Sequence, residues 1–199
     1  MQIIKPLYIF ATILLSINKV KAITSTTDSS KSKTTWINEF KGLRTALYKN
    51  NRQKLKSYFS FPIIDKSNQI WIPVTPEDEV DGIYESKKTI PFTERDFDKY
   101  YNKLFSKRFI NGLLKIKTDL LYKTGETASP EFKEGDSLSY TVYVYYEKKQ
   151  NILSLNFALN RVFKDKAGEI MDGGESSIIY TFTITKEGRL KFQEIVLAG

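Results

Sequence analysis

The chain has 199 residues, a mass of 23.0 kDa and a formal charge of +8. With 41% hydrophobic and 14% aromatic residues it can bury the core of one ordinary domain. It contains neither cysteine nor histidine, which excludes disulfides, thiolate nucleophiles, cysteine or histidine zinc sites, Ser-His-Asp triads and any histidine base.

The N-terminus predicts export. Lys5 precedes an apolar run over residues 7–17, and Val20 and Ala22 then occupy the small-residue positions of a signal-peptidase site. The run is shorter than the roughly 20 apolar residues that span a bilayer as a helix, so no stable membrane anchor is expected. Residues 1–22 therefore read as a signal peptide. Three cations, Lys5, Lys19 and Lys21, leave with it and lower the formal charge from +8 to +5. That balance, with scattered basic residues, does not suggest a nucleic-acid binder. No asparagine heads a glycosylation sequon, which favours a bacterial envelope, periplasmic or secreted, over a eukaryotic route.

Residues 23–35 are polar and low in complexity and read as a flexible linker. The single domain is expected over 36–199. Trp36, Phe40, Leu43 and Leu47 recur at helical spacing behind Thr35 as N-cap, and Asn50-Asn51 end the helix. A short second helix carries Leu55, Tyr58 and Phe59 inward and stops before Pro62. Ile63-Ile64 and Ile70–Val74 predict short strands about a turn at 65–68, with a loop over 75–81 and a little strand at Ile83-Tyr84 and Thr89-Ile90. Thr93 and Asp96 form a weaker variant of a capping box, and Phe92 and Phe97 sit at the two positions of a hydrophobic staple. Phe97, Tyr100, Tyr101, Leu104 and Phe105 continue this helix toward Asn111-Gly112. Residues 113–122 fit helix or strand, and Gly125–Gly135 reads as a loop.

From Ser137 the hydrophobic period becomes two. Residues 138–147, 152–163, 176–185 and 190–197 predict four long strands of an antiparallel meander, joined at 148–150, 165–175 and 186–189. Helices gathered on one face of a strongly curved antiparallel sheet make an α+β fold.

This order, with Phe40-x-x-Leu43-x-x-Ala46-Leu47 running to Phe59-Ser60-Phe61-Pro62 and with a third helix over Phe97–Phe109, resembles the NTF2-like superfamily. That group includes ketosteroid isomerase and SnoaL-type proteins, and the chain looks most like its exported bacterial members of no known activity. The resemblance covers about residues 36–197. It implies a cone whose sheet curls around a cavity. In related enzymes the cavity holds an Asp or His base with Tyr or Asp donors. Without histidine only the version with a tyrosine and carboxylates stays open. A cystatin-like or lipocalin-like sheet is the alternative fold, and the three helices argue against the latter.

Two charges stand where the alternation expects apolar residues: Arg161 after Leu153-Leu155-Phe157-Leu159, and Glu194 within Leu190-Phe192-Glu194-Val196. Pointing inward they would form a cross-sheet ion pair or a polar pocket floor; near strand ends they would reach solvent instead. Tyr140, Tyr146 and Tyr180 could supply hydroxyls beside such a floor. On the opposite face Tyr143, Tyr145 and Thr141 offer a platform for a glycan or peptide, or a homodimer contact. Asp165, Glu169, Asp172 and Glu175 lack the spacing of a calcium loop, so neither a metal nor a cofactor is expected. The reading is an exported, non-catalytic domain that binds a small molecule, a peptide or an envelope protein. The alternatives are a cofactor-free isomerase or dehydratase using a tyrosine and a carboxylate, and an interaction or inhibitor domain that binds through the sheet face.

Overall fold

The computed structural model describes residues 35–164 and 170–199. Residues 1–34, on which the expected signal peptide and most of the expected linker fall, and residues 165–169 lie outside the described residues. No described helix is long and apolar enough to cross a membrane.

Helix α1 spans Trp36–Tyr48 and buries Ile37, Phe40, Leu43, Ala46 and Leu47 along one face. Thr35 is its N-cap by backbone conformation, without a side-chain bond. Asn50 enters the left-handed region at φ 49°, and the Asn51 side chain accepts from the Lys54 amide to start α2, Arg52–Lys56. Leu55 of α2 is buried, as are Tyr58 and Phe59 just after it.

The next stretch departs from the expected strands. Ile63 makes one isolated bridge, to Phe92, and Gln69–Val74 is a 3-10 helix. The cause is a polar hub that local pattern does not reveal. The buried Asp65 carboxylate accepts from the Ser67 amide at 2.9 Å, the Ser67 hydroxyl at 2.6 Å and the Ile70 amide at 3.0 Å. Asn68, at φ 57°, donates its amide to the Lys88 carbonyl and accepts from the Ile90 amide. These bonds take the donors that a strand ladder would need. A further 3-10 turn, Glu77–Glu79, leads into α3, Val80–Glu85, so Ile83 is helical rather than extended.

Helix α4, Glu94–Leu104, opens with the full capping box. The Asp96 amide donates to Thr93 Oγ1 and the Thr93 amide to the Asp96 carboxylate, while Phe92 and Phe97 are wholly buried. The helix stops earlier than its apolar stripe implies. Ser106 caps a separate α5, Lys107–Leu114, by accepting from the Phe109 amide. Gly112 is therefore not a terminator. A Cβ there would lie 2.5 Å from Val142 Cγ2, so the glycine lets α5 approach the sheet. Helix α6, Thr118–Thr124, follows and ends at Gly125, φ 84°.

Six antiparallel strands complete the chain: β1 Glu126–Ala128, β2 Phe132–Glu134, β3 Leu138–Glu147, β4 Ile152–Lys164, β5 Ile170–Ile184 and β6 Leu190–Ala198. Their order is β1-β3-β4-β5-β6, with β2 also on the free side of β3. The segment expected to be a loop thus supplies two edge strands, and β5 begins at Ile170, so the loop before it is shorter than 165–175. The helices cover one sheet face, where α5 packs on β3 and α1 packs on α2, α5 and α6. The α+β architecture is the one the sequence implies.

The last strand holds a correction. Thr181 pairs with Glu194 but Phe182 pairs with Phe192, which leaves Gln193 as an extra residue, a β-bulge. Side-chain parity flips there. Leu190 and Phe192 face the helices before the bulge, and Ile195 and Leu197 do so after it. Glu194 goes with Thr181 to the open face and does not interrupt the apolar row.

Candidate functional site

The interior between helices and sheet is occupied by aromatic side chains. Tyr140 stacks on Phe132 at 4.8 Å and stands edge-on to Phe157, which in turn meets Phe109. Phe109 stacks on Tyr180 at 4.6 Å, and Phe105 lies 5.5 Å from the same ring. Phe97, Phe59 and Phe192 carry the cluster to the far end of the sheet. All of these except Phe132 and Phe192 are buried.

Three of the four buried phenols among the described residues are committed to backbone, and the fourth, Tyr140, is hydrogen-bonded to the Asn111 side chain. Tyr180 donates to the Leu104 carbonyl, Tyr101 to Leu47 at 3.2 Å and Tyr58 to Glu39 at 3.4 Å. Burial pushes all three above their ordinary ionisation range. For Tyr58, burial and then the nearby Glu39 carboxylate raise it to about 12. Such groups stay neutral, and their protons are spent on carbonyls rather than free for transfer. Asp65 is the one buried carboxylate among the described residues, and its oxygens serve the hub around Ser67 and Ile70. Among the described residues no three acidic, cysteine or histidine side chains gather as metal ligands.

The five residues singled out in the sequence are dispersed. Tyr140 and Tyr180 belong to the interior stack. Tyr146 lies at its edge with its ring 4.4 Å from Trp36, beside a cleft of about 380 Å³ flanked by Tyr122, Lys123 and Lys148. Arg161 shares the parity of Phe157 but is exposed beyond the helices, level with Leu138. Glu194 is half-buried on the other face and level with Ser154 across Thr181. Ser154 and Arg161 are seven residues apart along β4, about 23 Å at strand rise. Of the two alternatives for these charges, the cross-sheet ion pair does not form, and Arg161 reaches solvent. Of the acidic loop, Asp165 and Glu169 lie outside the described residues, and Glu175 lies in β5.

The open sheet face is where exposed chemistry collects. Tyr143 and Tyr145 stand at alternate positions of β3, their ring planes 12° from parallel and their centroids 6.4 Å apart. β1 lies alongside with Glu126 opposite Tyr145 and Ala128 opposite Tyr143. Together with Leu120 and Thr124 of α6 they border a groove of about 440 Å³. Burial, then the neighbouring Tyr143 and Glu126, shifts the Tyr145 phenol upward. Tyr143 also borders a second depression of about 160 Å³, whose walls include Ser139, Thr141, Asn160, Glu131 and Glu175. The tyrosine pair was legible in the alternation of β3. Glu126 was not, because nothing in a three-residue edge strand distinguishes it from a loop, and Leu120 of α6 and Glu131 between β1 and β2 carry no periodic signal that aims them at this face.

Comparison with known proteins assigns no family: no family model matches the chain, and no curated protein matches it. Among solved structures, a crystal structure from Shewanella frigidimarina described as "a putative ketosteroid isomerase" aligns over 84% of this chain and 98% of its own. The identity is 12% and the TM-score 0.29.

Proposed function

We propose that the chain is an exported, NTF2-like domain that binds a partner through its open sheet face and catalyses no reaction. The observation that carries this reading is the parallel Tyr143–Tyr145 pair beside a groove of about 440 Å³. The occupied interior supports it. An isomerase of the tyrosine-and-carboxylate type needs a phenol and a carboxylate facing one ligand space, whereas Tyr180, Tyr101 and Tyr58 donate to the Leu104, Leu47 and Glu39 carbonyls and the Tyr140 ring is packed against Phe132 and Phe157. Tyrosine on an open face supplies large contact area at small entropic cost, with a hydroxyl to orient the ligand.

The test is native mass spectrometry of the full-length gene product purified from its own envelope fraction. The mature chain should begin at Ile23. A bound mass carried by the wild type should disappear from the Tyr143→Ala/Tyr145→Ala double variant, while the melting temperature stays within a few degrees. Retention of the bound mass by that variant, or a mature chain that keeps residues 1–22, would contradict the reading.

A further inference from the structure

Resting on that reading of the open face, we infer that its ligand is a neutral, extended glycan of the β-1,4-linked type. The two depressions share Tyr143 as a common wall, so they act as one elongated site rather than two separate pockets. By strand register the site runs from Glu126, opposite Tyr145, to Ser139, which Asn160 and Glu175 continue across the sheet. From Tyr145 to Ser139 is about 20 Å at strand rise, long enough for several sugar units and too long for a single small metabolite.

The chemistry of the walls selects the class. Apolar sugar faces stack on aromatic rings, and Tyr143 and Tyr145 present two rings in nearly one orientation, which suits successive units of a flat, ribbon-like chain. Sugar hydroxyls need planar polar groups that accept and donate in pairs. Asn160 does both, while the carboxylates of Glu126, Glu131 and Glu175 accept only, with hydroxyls from Ser139 and Thr141 between them. No lysine or arginine is among the described walls of either depression, although the chain is basic overall. The cation nearest to a wall carboxylate in an ion pair is Lys133, 3.9 Å from Glu131. An anionic polymer would meet carboxylates and no counter-charge there and is excluded, whereas an uncharged glycan can donate its hydroxyls to those carboxylates; a cationic peptide is the competing occupant that the test must exclude. The open, shallow form of the site fits a polymer lying across it.

The experiment is isothermal titration of the full-length protein with cellohexaose and chitohexaose, with maltohexaose as a helical control. At least one of the two β-1,4-linked hexasaccharides should bind, unaffected by salt between 50 and 500 mM. Binding should weaken at least tenfold in Tyr143→Ala and in Tyr145→Ala, and persist in Tyr143→Phe. Maltohexaose should bind at least tenfold more weakly. The inference is overturned by no binding of either β-linked probe, by equal binding of maltohexaose, or by salt-suppressed binding of a lysine hexapeptide in their place. If it fails while the double tyrosine variant still sheds the native bound mass, the open-face reading stands without the glycan. If the bound mass also persists in that variant, both fall.

Discussion

Tyr58 shows how much of this interior is decided by single atoms. Its ring is buried under α1, and Gly42 leaves room for its hydroxyl, since a Cβ there would lie 3.1 Å from the phenol oxygen. Burial, with Glu39 as the smaller contributor, raises its ionisation to about 12, from the 10.0 of a free phenol. Between those two values the unfolded chain releases a proton that the folded chain keeps. The folded state then binds more protons, and stability falls as pH rises. The contribution is complete below about pH 10 and lost through about pH 12. Urea unfolding at pH 9, 10 and 11 should show the decline, and Tyr58→Phe should reduce its slope by up to about 1.4 kcal/mol per pH unit. Tyr180 and Tyr101, raised by the same cause, keep part of the slope in that variant. An unchanged slope would mean that Tyr58 ionises no later folded than unfolded. That Tyr58 and Tyr180 would be buried is legible from their apolar spacing. Which carbonyl each hydroxyl reaches is not, because Leu104 lies 76 residues from Tyr180 and Glu39 lies 19 from Tyr58.

Elements were legible where the chain carries its own signal. Thr93, Asp96, Phe92 and Phe97 announce α4, and the structure forms the capping box and buries both rings. The alternation in β3 and β4 likewise fixes which residues face inward. Legibility fails where tertiary contacts override local pattern. Asp65 and Asn68 convert an apparent strand into a 3-10 helix, and Gln193 inserts a bulge without any glycine to mark it. The bulge gives a sharp test. Uninterrupted alternation would put Glu194 inward and Ile195 outward; the observed register does the reverse. Ile195→Ala should cost about 2–5 kcal/mol and Glu194→Ala at most about 0.5 kcal/mol in chemical denaturation. Similar losses for both would restore the unbulged strand. Gly112 was legible as a glycine near a helix end, yet its role is the close approach of α5 to Val142. Gly112→Ala gains helix propensity but forces the wholly buried Val142 aside, so a net loss of about 1–3 kcal/mol is expected. A stabilised variant would show that α5 can lift from β3 at little cost.

At the scale of the molecule, function turns on whether the space between helices and sheet is packed or open, because the same α+β layering can enclose a pocket or a core. The sequence supplied the layers but could not decide this. Thirteen phenylalanines and twelve tyrosines can line a cavity as well as fill one. Here aromatic rings occupy it: Phe157, 3% exposed, lies between Tyr140 and Phe109, and Phe109 lies against Tyr180. Packed aromatic interiors lose both transfer free energy and contacts when a ring is removed, so Phe157→Ala should cost about 3–5 kcal/mol. The void it leaves is lined by rings and aliphatic groups, would stay dry, and should accept benzene. Saturating benzene should therefore raise the melting temperature of Phe157→Ala by several degrees and leave the wild type unchanged. Phe157→Leu, which removes less, provides the same comparison should the alanine variant fail to fold. If benzene stabilises the wild type as much as the variants, an open pocket already exists between the layers. The interior would then compete with the tyrosine face as the place where this protein meets its ligand.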